Sequence, residues 1–153
     1  MQTRIGTDLS TAIAFLKQGE VVAIPTETVY GLAGNALNEE AVLNIYEAKQ
    51  RPRFNPLILH VPSFDKFSLY ARDIPDDCRK LADRFSPGPL TFLLLKQDTV
   101  PDLVTAGSDK VAIRIPSHPV TLSLLQQIDF PLAAPSANPF GYVSPVTAKH
   151  VYD

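Results

Sequence analysis

Residue types and patterns that mark whole classes of protein are scarce in this 153-residue sequence. Its one cysteine, Cys78, cannot form an internal disulfide and fits a reducing compartment better than a secreted one. The longest apolar runs, such as residues 93–95, are far shorter than the roughly 20 residues that span a bilayer. The N-terminus shows no apolar block followed by a small-residue cleavage site, as a signal peptide would. These features predict a cytoplasmic protein.

Strong net charge and the common signature motifs are also missing. Fourteen Lys and Arg oppose 16 Asp and Glu, so the formal charge is −2, which argues against a protein whose whole surface binds a polyanion. The sequence has no Walker-type phosphate loop, dinucleotide-binding glycine motif, serine-hydrolase elbow or Cys-x-x-Cys pair. His60, His118 and His150 are too scattered to predict a metal site. Common nucleotide-binding, zinc and serine-hydrolase classes are therefore excluded.

The remaining pattern predicts one α/β domain. The 14 prolines lie between apolar segments and mark strand ends, as at Pro25, Pro56 and Pro116. One amphipathic helix, residues 75–85, is predicted to turn Cys78, Leu81, Ala82 and Phe85 inward. Strands and helices alternate, which favours a sheet packed by helices. Strands are predicted at residues 21–24, 57–61, 90–95, 111–115 and 132–134, and helices at 9–18, 39–49, 75–85, 119–128 and from 146 onward. A short helix capped by Ser63 is also predicted.

Two segments place polar side chains directly after predicted strands. Residues 25–32, P-T-E-T-V-Y-G-L, are predicted to connect a strand to the next helix, the edge where ligands settle in open α/β sheets. A capped turn, in which threonine side chains satisfy backbone groups, is the alternative. Ser136 and Asn138 would point to one side of an extended chain. They predict either hydrogen bonds to a phosphate or base, or a loop-closing turn.

Two further segments carry cations. Three cations, Lys49, Arg51 and Arg53, lie at the end of a predicted helix and just beyond it. A guanidinium group can donate two parallel hydrogen bonds to two phosphate oxygens. Lys49 alone would complement the helix dipole, so the two arginines favour a phosphate-binding loop. Arg114 interrupts an apolar strand, and a buried guanidinium needs an anionic partner. That partner is either an internal carboxylate or a ligand carboxylate, with His118 nearby at the start of the next helix.

The four segments occur together in the order typical of one family. P-T-E-T-V-Y-G-L, K-x-R-P-x-x-N-P-L-x-x-H, the Arg114 strand with S-H-P, and P-S-A-N resemble the threonylcarbamoyl-AMP synthase family, the YrdC-like domain, over nearly the whole chain. The resemblance implies an α/β fold with a large twisted mixed sheet, flanked by helices and with a basic concave face. It implies the synthesis of threonylcarbamoyl-AMP and pyrophosphate from L-threonine, bicarbonate and ATP, for the tRNA modification t6A.

By the same resemblance, residues of this sequence receive roles. Lys49 and Arg51 would act in catalysis and hold the ATP phosphates, Ser136 and Asn138 would bind the nucleotide, and Thr26, His60 and Arg114 would bind threonine and bicarbonate. Mg²⁺ would arrive with ATP, and no protein metal site is expected.

The resemblance also implies partners and boundaries. The product would pass to the tRNA threonylcarbamoyl-transferase machinery, and tRNA or double-stranded RNA is a further possible partner. Residues 1–153 would form a single YrdC-like domain that lacks its C-terminal portion, because the family carries a later segment. An RNA-binding module without catalysis is the alternative function, and a carbamoyl-handling domain of hydrogenase maturation is disfavoured by the short chain.

Overall fold

Strands of the structure, a computed structural model that describes residues 3–152, form one mixed sheet. Within these residues the strand order is β1-β2-β7-β3-β6-β5-β4. β3 and β6 are parallel, and the other neighbouring pairs are antiparallel. The predicted mixed sheet is thus confirmed. The strands are β1 (Val22–Ile24), β2 (Gly31–Asn35), β3 (Ile58–His60), β4 (Ala71–Arg72), β5 (Thr91–Lys96), β6 (Lys110–Arg114) and β7 (Leu132–Ala133).

Helices pack on this sheet and begin at the capping residues that the sequence offers. Asp8 and Asn38 accept hydrogen bonds from first-turn N–H groups of the two N-terminal helices. Pro119 occupies the first turn of a third helix, where its missing N–H costs nothing. The helices are α1 (Leu9–Lys17), α2 (Glu39–Lys49), α3 (Asp76–Phe85), α4 (Asp102–Thr105), α5 (Pro119–Gln126) and α6 (Ala148–Tyr152), with a 3-10 helix at Phe64–Leu69.

One face of the sheet carries the larger core. Leu59 of β3 lies opposite Ile113 of β6, which lies opposite Phe92 of β5. Directly opposed side chains share a face. These three belong to the same buried cluster as Val42 and Ile45 of α2. This face is therefore closed, and α2 is fixed against it by apolar burial.

The opposite face is covered over half of its width. Over β1, β2 and β7, Leu16 of α1 and Leu124 and Leu125 of α5 form a second buried cluster with the sheet. Over β3, β6 and β5, by contrast, Leu93 is 65% exposed. We call this half the open face. It carries Ile58, Thr91, Leu93 and Ala112, and it ends at His60 and Arg114.

The prolines and most elements lie where the sequence places them, with several exceptions. Residues 25–32 do not lead straight to a helix as predicted, because Gly31–Asn35 forms β2 and pairs with β1. β4 and α4 were not predicted, whereas the short helix predicted after Ser63 is present as the 3-10 helix. The inward orientation of Leu81 and Phe85 is wrong, since they are 43% and 51% exposed. Of that helix, Ala82 is buried.

Candidate functional site

The open face ends at two predicted site residues that lie side by side. His60 ends β3 and Arg114 ends β6, and the parallel register pairs them directly. His60 is 2% and Arg114 8% exposed. Thr91, opposite Arg114 on β5, is exposed on the same face. The structure thus brings the two residues together at one end of an open surface.

Arg114 is held by an internal carboxylate. Its Nη2 donates to Glu27 Oε1 in a salt bridge and to the Thr28 hydroxyl at 3.4 Å, and its Nε donates to Gly88 O at 3.1 Å. Of the two partners that the sequence allowed, the internal carboxylate is the one present. These contacts use Nε and Nη2. Among residues 3–152, Nη1 makes no hydrogen bond, so two donors of the guanidinium remain for a ligand.

His60 is a neutral imidazole. Its Nδ1 lies 3.2 Å from Ile58 O. A carbonyl can only accept, so Nδ1 carries the proton and Nε2 is left as an acceptor. Burial, and then the neighbouring Arg114 charge, lowers the pKa of His60 to about 4. His60 can therefore accept a hydrogen bond near neutral pH but adds no positive charge to the site.

Thr26 closes its own loop. Its hydroxyl donates to Val29 O at 2.6 Å and accepts from the N–H groups of Thr28 and Val29 at 3.2 Å each. This is the capped turn that the sequence offered as the alternative to ligand binding. The turn holds Glu27 and Thr28 beside Arg114.

Lys49 is buried and organises the loop after β7. Its side chain donates to the main-chain carbonyls of Ser136 and Asn138, and the residue is 2% exposed. Burial, and then the Arg51 charge, lowers the pKa of Lys49 to about 8. The structure therefore joins the K-x-R and S-x-N segments through a cation held by carbonyl groups.

Arg51 lies beyond the end of α2 with part of its guanidinium engaged. Nε donates to Asn55 O at 3.3 Å and Nη2 to Pro56 O at 3.1 Å. Its Cζ is 5.7 Å from the centre of the Phe140 ring, within the range of a cation–π contact. Burial lowers the pKa of Arg51, which still remains charged at physiological pH.

Ser136 and Asn138 differ in how their side chains are used. Ser136 lies opposite Gly31 in a bridge that continues the antiparallel pairing of β2 with β7. By register it therefore shares the face of Arg114. The Asn138 amide donates to Pro139 O and Tyr142 O at 2.8 Å each. Its Oδ1 is buried without a partner among residues 3–152. That oxygen is an acceptor in need of a donor.

The predicted residues fall into two groups along the strands. Ala134 N donates to Ile58 O at 3.2 Å, so these two residues lie side by side on antiparallel strands. Ser136 lies two residues from this pair in one direction, and His60 lies two residues from it in the opposite direction. At about 3.3 Å per residue, the two levels are roughly 13 Å apart. One extended ligand could contact both groups.

Sequence reasoning missed two groups that shape the Arg114 end. Glu27 was part of a quoted motif without a role, and Gly88 O is a main-chain acceptor that carries no sequence signal. Residues 3–152 contain no group of three or more His, Cys, Asp or Glu that could hold a metal ion. No helix in the described part of the chain is long and apolar enough to cross a membrane. The ligand roles of the seven site residues, and the basic character of the open face, stay predictions.

Comparisons with known proteins agree on one family. The Sua5/YciO/YrdC family model, described as telomere recombination, matches residues 14–153. The threonylcarbamoyl-AMP synthase of Pyrococcus abyssi is 51% identical over 140 residues, 92% of this chain and 41% of that protein. Its Bacillus subtilis namesake is 48% identical over 144 residues, 94% of this chain and 42% of the relative.

A solved structure gives the same result for the fold. The crystal structure of P. abyssi Sua5 complexed with L-threonine has a TM-score of 0.92 and 48% identity, and the match covers 99% of this chain and 45% of that one. The chain spans about 40% of the length of the curated relatives above. The predicted YrdC-like fold is confirmed, and this chain belongs to the Sua5/YciO/YrdC family.

Proposed function

We propose that this chain carries the nucleotidyltransferase site that forms threonylcarbamoyl-AMP and pyrophosphate from L-threonine, bicarbonate and ATP. The names of the relatives and the threonine bound to the P. abyssi protein support this reaction. The observation that carries it is the arrangement of the open face. A guanidinium whose Nη1 makes no hydrogen bond to residues 3–152 lies at its end, and Ser136, whose carbonyl binds Lys49, lies roughly 13 Å from the level of His60 along the strands.

The reaction requires little covalent chemistry from the protein. Bicarbonate loses hydroxide to give CO₂, and the neutral amine of threonine adds to the CO₂. The amine proton leaves with that hydroxide as water, which gives an N-carboxy anion. A carboxylate oxygen of this anion then attacks the α-phosphorus of ATP in line, and the bond to pyrophosphate breaks. Every reactant is anionic, so the protein must chiefly offset repulsion and align the groups. The side chains of the candidate site suit these tasks and include no activated nucleophile.

At the Arg114 end, the Nη1 donors, which bind nothing among residues 3–152, are proposed to bind the threonine carboxylate. Neutral His60, with Nε2 as an acceptor, would receive a hydrogen bond from threonine. The Thr26 hydroxyl already serves the turn, so we propose that Thr26 acts by shaping the pocket wall rather than by direct contact.

At the other end, Arg51 is proposed to bind the ATP phosphates with its remaining donors. Lys49 would act there by holding the Ser136–Asn138 loop, since both of its observed contacts are to that loop. Asn138 Oδ1 could accept from an N–H donor of the nucleotide. Mg²⁺ would be carried mainly by phosphate oxygens and water, because the described residues offer no carboxylate cluster for it.

The reaction is proposed to take place in the cytoplasm. The product is a mixed anhydride that a transferase must consume, and the tRNA threonylcarbamoyl-transferase machinery is the partner we propose for that step. Direct contact with tRNA or double-stranded RNA is a separate proposal.

Pyrophosphate release tests the proposed reaction. The assay supplies ATP and Mg²⁺ and omits threonine and bicarbonate one at a time. Release that requires both is expected. Release that ignores threonine would contradict the proposal. RNA affinity that falls steeply with salt, together with no threonine-dependent release, would favour the RNA-binding module instead.

A further inference from the structure

Glu27 is the carboxylate that contacts Arg114 at the end of the open face. It belongs to the loop after β1, and its side chain is 21% exposed. One oxygen, Oε1, pairs with Arg114. The other, Oε2, accepts from Ser117 N at 2.9 Å. Glu27 therefore ties its own loop both to the end of β6 and to the segment that leads into α5.

The contacts of Glu27 constrain the direction of the Arg114 guanidinium. Gly88 O fixes Nε from one side, while Glu27 and Thr28 fix Nη2 from another. A planar guanidinium held at two nitrogens has its third nitrogen placed as well. Nη1 is the group without a hydrogen bond to residues 3–152, so its direction depends on these contacts.

The carboxylate is charged under the conditions in which it would act. Burial alone would raise the pKa of Glu27, but hydrogen bonds from backbone N–H groups and from Arg114, with the Arg114 charge, outweigh burial and hold the pKa below its usual 4.5. The carboxylate also offsets the charge of Arg114, whose side chain is 10% exposed.

From this geometry we infer that Glu27 is a positioning residue, which holds the Arg114 guanidinium so that Nη1 meets the carboxylate of the amino-acid substrate. This inference rests on the proposed function for its substrate. Two rival roles give different results. A carboxylate that merely competes with the substrate for Arg114 would weaken binding, so its removal would tighten it. A purely structural carboxylate would affect folding and no ligand in particular.

The test compares four proteins: wild type, Glu27→Gln, Glu27→Asp and the control Glu47→Gln. Glu47 is exposed on α2 and belongs to no contact of the site. Calorimetry measures the Kd of L-threonine and of ATP for each. We expect Glu27→Gln to raise the Kd of threonine roughly ten-fold, as loss of a charged hydrogen bond does, and to leave that of ATP unchanged. Glu27→Asp keeps the charge on a shorter side chain and should restore part of the affinity.

A second readout needs no ligand. The NMR signal of the Arg114 Nε–H reports how the guanidinium is held, and we expect it to shift and exchange faster in Glu27→Gln but not in Glu47→Gln. Threonine affinity in Glu27→Gln that equals or exceeds the wild-type affinity would overturn the inference, as would an unchanged Nε–H signal. If the wild type binds no threonine, the proposed function fails, and the Nε–H signal still decides whether Glu27 holds Arg114.

Discussion

Replacing His60 should change how the stability of the protein depends on pH. The imidazole is 2% exposed, and its pKa falls from 6.5 to about 4 on folding. Between these values the unfolded chain binds more protons than the folded one, so the free energy of unfolding rises with pH across this window. The contribution of neutral His60 to the free energy of unfolding is complete above pH 6.5 and is lost as the pH falls toward 4. Each unit of difference between the folded and unfolded pKa is worth about 1.4 kcal/mol, so the full effect is about 3 kcal/mol.

The variant His60→Asn removes the titration and keeps a donor. The asparagine amide nitrogen can occupy the place of Nδ1 and donate to Ile58 O. The smaller side chain leaves space behind it, so the variant should be less stable than the wild type at neutral pH. The informative quantity is therefore the slope against pH and not the stability at one pH.

Urea unfolding at half-unit steps from pH 4 to 8 measures this slope. The difference in unfolding free energy between wild type and His60→Asn should shrink by about 3 kcal/mol as the pH falls through the window. His150→Asn is the control, because His150 is exposed on α6. A constant difference between wild type and His60→Asn from pH 8 to 4 would refute a buried, neutral His60.

Three further predictions test other parts of the structure. Asn38→Ala removes the N-cap of α2 and should lower the free energy of unfolding by about 1 kcal/mol in urea titrations, whereas Asn38→Asp should retain most of it. Gly34→Ala places a Cβ 3.1 Å from Ile45 Cδ1 and should cost about 1–3 kcal/mol in the same assay, while Gly6→Ala, with nothing within 4 Å, should cost far less. Arg51→Lys keeps a charge but loses the planar fork, so calorimetry should show a roughly ten-fold higher Kd for ATP and the same Kd for threonine.

Sequence patterns placed the elements whose apolar spacing is strong. β5, β6, α2 and α5 were predicted within a few residues, because their buried side chains repeat at strand or helix period. β2 was missed since G-L-A-G-N has neither β-branched nor aromatic residues. Its pairing with β1 and β7 decides its conformation, and the contacts with β7, which is distant in the sequence, leave no local signal.

The site was predictable as a set of residues but not as a set of contacts. Arg114 stood out because a cation in an apolar strand needs a partner. That the partner is Glu27, 87 positions away in the sequence, depends on the sheet order. Lys49 was assigned to phosphate from its motif, and its burial under two carbonyls comes from the fold of the loop after β7. Its direct contact with ATP stays a prediction.

The central claim is that an amino acid binds at the Arg114 end of the open face and a nucleotide at the K-x-R and S-x-N segments. Amide NMR spectra recorded during separate titrations with L-threonine and ATP test it most directly. Threonine should move the signals of Thr28, His60 and Arg114, and ATP those of Arg51 and Ser136. Shifts from both ligands that avoid the open face and cluster in the cleft between the 3-10 helix and α3, lined by Phe64, Ile74 and Arg79, would contradict the account.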